Sequence, residues 1–262
     1  MKLRIVYLLA CFMSWTALSA GTIVLEGHYQ GKNLYVQNPF AGSGVGFCTF
    51  EVTINGNVTT DEINSSAFEI DFTNEQLKIG DPVIVKIKHK DDCKPRVLNP
   101  EVLKPKSTFI AKSVNLNKDG LFTWTTTGES GILTYIVEQY RWNKWTKAGE
   151  VEGVGSAAEH SYQFKISPHS GENKVRVKQV DYTGSPRYSK AATAISTMPE
   201  ITFSPVKVKD EIIFSGETLY EVYDVYGNIV KRGFDSRIDA TNLKKGDYYL
   251  SYDNKTEKFS KK

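Results

Sequence analysis

The sequence predicts an all-β protein, in which an export segment is followed by three small antiparallel β-sandwich-like modules in tandem. Three observations carry this expectation. Beyond residue 20, no stretch sustains the 3.6-residue apolar period that an amphipathic helix requires. Short runs rich in Val, Ile, Tyr, Phe and Thr alternate at period two instead. Turn residues separate these runs about every eight to twelve positions, the spacing of sandwiches and barrels.

Residues 1–20 read as a signal peptide. Lys2 and Arg4 form a positive start, residues 5–18 are mostly apolar, and Ala17, Ser19 and Ala20 offer a small-residue cleavage site. The run is too short for a membrane span, so no transmembrane segment is expected and the chain is exported through the inner membrane. The remaining length exceeds one typical domain. Its divisions are an N-terminal β domain over 21–104, a middle module over 107–198 and a C-terminal module over 199–262. The formal charge of +3 falls to +1 once Lys2 and Arg4 are set aside. That balance argues against a nucleic-acid partner, which calls for a basic patch. With Cys11 removed, Cys48 and Cys93 remain, an even pair in an oxidising compartment, and a disulfide is expected. Two buried thiols are the alternative.

In the N-terminal domain strands are expected over 22–26, 33–37, 47–54, 68–72 and 83–89. Asn55-Gly56 is a two-residue hairpin signal, since both types tolerate positive φ. Gly80-Asp81-Pro82 starts a strand where no ladder donor is needed. Residues 74–78 offer a single helical turn. The glycine-rich run 42–46 lacks the Lys-Ser/Thr and the following helix of a phosphate loop, and reads as a plain loop. Residues 99–106 carry two prolines and no period, which suits an extended linker.

The middle module shows runs over 109–115, 121–126, 133–141, 146–151, 161–166, 174–181 and 188–193. Trp124 is the obvious core anchor, and Val175 and Val177 should face inward with Lys174, Arg176 and Lys178 outward. The order Phe122-Thr-Trp124, Glu129, Tyr135-Ile-Val-Glu138-Gln, Trp145, Gly149-Glu-Val151, Tyr162-Gln-Phe164, Val175 to Asp181, Gly184 and Tyr188-Ser189 resembles a fibronectin type III-like module common in surface proteins of the Bacteroidota. That resemblance implies a scaffold rather than catalysis.

A second linker is expected over 197–205, and the C-terminal module follows it. Runs at 206–209, 211–214, 220–226, 229–232 and 248–252 read as short strands, with Gly227 between two of them. Val222-Tyr223-Asp224-Val-Tyr-Gly227-Asn-Ile-Val230, then Ile238-Asp239, Leu243, Lys245-Gly246-Asp-Tyr248-Tyr-Leu250 and terminal Lys261-Lys262 resemble the type A sorting domain (Por secretion tail) of type IX secretion cargo. The departure is at the opening, where Ser204-Pro205 stands in place of the family's Asn-Pro. The resemblance implies a small β-sandwich that addresses the chain to the type IX translocon and outer-membrane sorting machinery, then to the cell surface or medium. Such tails are usually removed on arrival; whether this one is stays open. The whole chain is also similar to small tail-bearing proteins of the PorA-like group, through residues 64–71, Cys93-Lys-Pro, 97–101 and 142–145. This likeness implies an envelope signalling partner.

Nothing in the sequence assembles a catalytic constellation, and the chain reads as non-enzymatic, without cofactor. His28, His89, His160 and His169 are scattered, with no zinc-ligand spacing. His89 to Cys93 reads as a polar turn, and no metal site is assigned. Ser156 lies in Gly153-Val-Gly-Ser-Ala, which fails the nucleophile-elbow pattern. Tyr140, Trp142 and Trp145 are the candidate binding aromatics. They would serve a carbohydrate or partner surface, or else Trp145 packs inward and Trp142 covers a sheet edge. A surface carbohydrate- or ligand-binding module is thus the second functional reading.

Overall fold

The computed structural model describes residues 20–262, and the expected signal peptide lies outside the described residues except for Ala20. The protein is all-β. The chain divides into two compact units: the described residues up to Glu26 with Lys32–Gln76 and Val83–Val102, and then Gly27–Gly31, Leu77–Pro82 and Leu103–Lys262.

The first unit is built from β1 (Ala20–His28), β2 (Leu34–Gln37), β3 (Thr49–Ile54), β4 (Asn57–Val58), β5 (Ala67–Ile70), β6 (Pro82–Lys90) and β7 (Arg96–Val97). They form two sheets, in the orders β1-β6-β3-β4 and β5-β2-β7. Alternation is the cause: Val83, Val85 and Ile87 of β6, with Leu34 and Val36 of β2, are all fully buried. Asn55 and Gly56 take φ of 50° and 91° and turn β3 into β4, as the hairpin signal demands. Cys48, just before β3, is bonded to Cys93 beyond β6, with Cα atoms 5.8 Å apart. The single helical turn falls at Thr73–Glu75, slightly ahead of the expected 74–78. The segment expected to be an extended linker differs more. Pro100–Leu103 is a 3-10 turn whose Leu103 is buried, because a large apolar side chain beside the prolines found a core to enter.

The middle module contains β8 (Ile110–Leu116), β9 (Leu121–Thr127), β10 (Thr134–Arg141), β11 (Lys144–Glu152), β12 (His160–Lys165), β13 (Gly171–Val180), β14 (Pro186–Tyr188) and β15 (Ala192–Ser196). One sheet is β12-β9-β8; the other runs β11-β10-β13-β14, with β15 also on β13. The two antiparallel sheets enclose one core, the arrangement of a β-sandwich. Trp124 is its anchor, stacked between Phe122 and Tyr162 at centroid distances of 5.2 and 5.4 Å, with Tyr135 edge-on at 5.8 Å. Val175 and Val177 are fully buried, as their alternation requires. The run expected over 188–193 is split between β14 and β15, with Ser189 still bonded to Val177 of β13 and Lys190 and Ala191 between the two strands.

The C-terminal module has one six-stranded sheet, β16 (Phe203–Ser204), β18 (Glu211–Tyr223), β20 (Gly246–Tyr252), β21 (Lys255–Lys261) and β17 (Lys207–Val208) in that order, with β19 (Ile229–Asp239) on β18. The expected strands 211–214 and 220–226 are one long strand with an irregularity between Ile213 and Thr218, and it stops at Tyr223 because residues 224–226 enter the turn that Asp224 caps. β16 lies inside the expected linker over 197–205, where Phe203 pairs with Phe214. The core is Ile212, Phe214, Val222, Ile238, Leu250, Tyr252 and Phe259, with Ile201 joining from the linker side. One pairing is parallel: Lys207 and Val208 lie beside Ser260 and Lys261.

Candidate functional site

The landmarks of the C-terminal motif each have a local physical cause. Tyr223-Asp224 ends β18, and Asp224 closes the turn by accepting the Tyr226 and Asn228 amides, both at 2.9 Å, on one carboxylate oxygen. Its other oxygen accepts the Asn228 side chain at 2.9 Å. These bonds hold the Asp224 carboxyl below its ordinary pKa. Gly227 completes the turn at φ 83°, a conformation glycine adopts without a Cβ penalty. Asp239 makes a similar turn by accepting the Thr241 amide at 2.9 Å and hydroxyl at 2.7 Å. Leu243 packs on the core, and Gly246 begins β20. Tyr248 is buried against Phe259 at 5.4 Å and donates its hydroxyl to Lys244 O at 2.9 Å. Lys261 ends β21, and the Lys262 amide donates to Val208 O at 2.9 Å. Apart from Tyr223, whose hydroxyl bonds Glu221 and Lys144, these motif positions make a turn, fill the core or close the sheet.

The three candidate aromatics do not form one platform. Tyr140 and Trp145 meet edge-to-face at 5.4 Å. Trp145 continues into a ladder: the Arg176 guanidinium lies 4.1 Å from the Trp145 ring and 4.0 Å from the Tyr188 ring. Arg176 Nε donates to Glu138 at 2.8 Å, so the ladder knits β11, β10, β13 and β14 together. Trp142 goes elsewhere. With Asn143 it forms the β10–β11 turn at φ 52° and 59°, an uncommon conformation for a bulky residue. Trp142 lines a cleft of about 470 Å³ with Thr146, Lys147, Tyr220, Arg232 and Phe234. Tyr220 lies across Gly233 in that cleft; a Cβ on Gly233 would come within 2.7 Å of the Tyr220 hydroxyl.

Beside this cleft is a seam between the middle and C-terminal modules that sequence reasoning missed. Arg141, at the end of β10, is 2 % exposed. Its Nε donates to Gln139 at 3.0 Å, Nη1 to the Asp253 carbonyl at 3.2 Å and Nη2 to the Ser167 carbonyl. Asp253, also 2 % exposed, sits in the β20–β21 turn at φ 47°. Its carboxylate accepts the Ser170 amide at 2.8 Å, the Ser170 hydroxyl and the Ile201 amide at 3.3 Å. Further out, Lys144 Nζ donates to Glu221 and the Tyr223 hydroxyl, each at 2.7 Å. Burial pulls Arg141 down to about 10 while Asp253 opposes the shift, so the guanidinium is cationic at neutral pH.

His169 borders this seam. It is buried, its Nδ1 lies 2.7 Å from Ser170 O, and its Nε2 has no partner among the described residues. Burial is the largest effect and lowers its pKa below 6.5; the hydrogen bond to Ser170 O opposes it, and the Arg141 charge lowers it again against smaller opposition from Asp253 and Tyr140. A histidine depressed in this way contributes stability above its unfolded value, and that contribution is lost as pH falls below about 6.5. The full-length protein should therefore melt at lower temperature as pH drops below that point. His169→Gln should flatten the slope in fluorescence-monitored melts. An unchanged slope would assign the effect to His28, which burial also lowers.

Two other groups look chemical. Glu129 is 3 % exposed and accepts Thr126 Oγ1 at 2.6 Å, Tyr135 OH at 2.9 Å, Tyr162 OH at 2.7 Å and the Gly155 amide at 2.7 Å. Burial alone would raise its pKa, but the four hydrogen bonds outweigh it and the carboxyl ends below its ordinary value. Ser156 Oγ lies 2.7 Å from His160 Nε2, a nucleophile–base distance. Glu129 directs its oxygens at Thr126, Tyr135, Tyr162 and Gly155, not at His160, and supplies no orienting acid. In the 42–46 loop, the Ser43 amide donates to Asp92 at 2.6 Å and Lys90 Nζ donates to Val45 O at 2.6 Å. The chain's own side chains thus occupy it. Among the described residues no group of three or more His, Cys, Asp or Glu is placed to hold a metal ion, and no helix is long and apolar enough to cross a membrane.

No family model matches the sequence, and no curated protein matches it. Solved structures similar to it include a tetra-tandem repeat from the extending region of a large adhesion protein, at 12 % identity and TM-score 0.30, covering 92 % of this chain and 73 % of that one. The fibronectin(III)-like modules of Clostridium thermocellum CbhA match at 12 % identity and TM-score 0.22, over 59 % of this chain and 92 % of theirs. The FN1–FN3 domains of chicken CNTN1 match at 12 % identity and TM-score 0.23, over 88 % and 89 %.

Proposed function

We propose that the chain is a non-enzymatic envelope protein, exported and then carried to the cell surface by a type IX sorting tail, where it serves as an accessory or signal-relaying component of the secretion apparatus. The observation that supports this reading is the C-terminal module. Its landmarks from Tyr223 to Lys262 follow the sorting-domain pattern in order, and Asp224, Gly227, Asp239, Leu243, Tyr248 and Lys262 serve the turns, the core or the sheet closure of a single small β fold. The middle module supports a scaffold role, since Glu129 spends its carboxylate on four internal donors and Arg176 with Glu138 ties strands together.

A second reading, a surface ligand-binding module, is favoured by one observation. Trp142 sits at positive φ beside a cleft of about 470 Å³ that also presents Tyr220, Phe234 and Arg232. Aromatic faces with a few polar groups suit a saccharide or an aromatic-rich partner. Affinity capture of the full-length chain from envelope fractions separates the two readings. The first expects a translocon component or an envelope signalling protein. The second expects bound glycan that is lost with Trp142→Ala. Capture of neither would remove both.

A further inference from the structure

The middle and C-terminal modules are joined covalently only through residues 197–200, which carry no strand and are all exposed, Met198 at 46 %. The chain is anchored on both sides of this connector. Ser196 pairs with Gly171 in the middle module. Ile201 is buried in the C-terminal core and its amide donates to Asp253 at 3.3 Å. The bonds that cross between the modules lie elsewhere, at Arg141 to Asp253, Ser170 to Asp253, and Lys144 to Glu221 and Tyr223. They come from three separate places on the middle module: the end of β10, the turn before β13 and the start of β11. The space left at the centre of the seam is about 20 Å³, room for roughly one water. The surfaces are therefore shaped to each other, with a guanidinium meeting a carbonyl and a carboxylate meeting an amide and a hydroxyl, and none of these bonds involves the connector.

We propose that the middle module carries a docking surface for the chain's own C-terminal module, centred on Arg141 and Ser170, and that a cut within residues 197–200 leaves the two pieces bound as a non-covalent complex. The connector is the segment a protease reaches first, since it is exposed and outside the sheets. Scission there removes the tether and none of the crossing hydrogen bonds, while Met198 and Pro199 border the small space at the centre of the seam. The consequence holds whether or not the tail directs export: processing at the connector would not by itself shed the last module.

The test uses the full chain with a specific protease site inserted after Met198. After complete cutting and dilution to roughly 1 µM, about a thousandfold below the millimolar effective concentration of a short tether, the two pieces are expected to co-elute on size exclusion. The same chain with Arg141→Ala is expected to separate into two. Because that variant removes a buried group, Lys144→Ala, at an exposed edge of the seam, provides a second variant and should weaken the complex without unfolding either piece. Separation of the unmutated pieces, with both retaining their β-sheet circular dichroism, would overturn the proposal. So would undiminished co-elution in both variants, which would put the hold outside this surface.

Discussion

Arg141→Ala is expected to destabilise the middle and C-terminal modules by about 3–5 kcal/mol, the usual cost of removing one partner from a buried charged network. The side chain is almost wholly buried and three acceptors depend on it: Gln139 Oε1, Ser167 O and Asp253 O. Alanine takes this donor from Gln139 Oε1 and the Asp253 carbonyl, leaves Ser167 O with the Gln139 amide at 3.2 Å, and opens a cavity where the guanidinium lay. For a folded unit of this size the loss corresponds to a fall of roughly 10 °C in melting temperature. Asp253→Ala should approach the same loss, since it frees the Ser170 and Ile201 amides and places alanine at φ 47°. Asp253→Asn should cost less, because asparagine tolerates that φ and keeps an acceptor for Ser170. Differential hydrogen exchange checks the location: protection should be lost first in β20 and β21, which flank Asp253. Uniform loss over the middle module would contradict this account of the seam.

The second large effect is expected at Glu129. Glu129→Ala leaves the Thr126, Tyr135 and Tyr162 hydroxyls and the Gly155 amide without their common acceptor in the centre of the middle module. A buried donor left unsatisfied costs about 1–3 kcal/mol, and relaxation lets some of these four find water, so about 4 kcal/mol in all is expected. Glu129→Gln should cost less but not recover the native stability, because its NH2 group faces donors. The folded carboxyl lies below its ordinary pKa, so its stabilisation is present above about pH 4.5 and is lost as pH falls through the lower folded value. The variant's acid-denaturation curve should lack that component. Near-ultraviolet circular dichroism reports the damage directly, since Trp124, Tyr135 and Tyr162 pack as one cluster.

The two sites differ in how far the sequence announces them. Glu129 stands beside Thr126 and between aromatic strands, a position the fibronectin-like pattern already marks. Trp124, Val175 and Val177 likewise follow from period-two alternation, and the Asn55-Gly56 and Gly227 turns from backbone permissiveness. Arg141 does not announce itself. Along β10 the inward positions are Tyr135, Val137, Gln139 and Arg141, and a charge at the end of that series reads as a strand emerging into water. Its burial is completed by another module, distant in sequence, whose Asp253 carbonyl accepts from it. Asp253 fails for a related reason, since Tyr252-Asp253-Asn254-Lys255 has the composition of any exposed hairpin turn. The continuation of β19 through Gly233 to Arg237 was also illegible. A strand whose residues are mostly exposed shows no alternation to read.

The central claim is that the C-terminal module addresses this protein to the cell surface. The most direct measurement is surface labelling and protease shaving of intact cells expressing either the full chain or a chain ending at Ser196, with Arg141→Gln added to the truncation so that the uncovered seam is not left with a bare cation. The full chain should be accessible from outside. The truncation should be soluble, folded and confined to the periplasm. Delivery of the truncated chain to the surface at the level of the full chain would contradict the account.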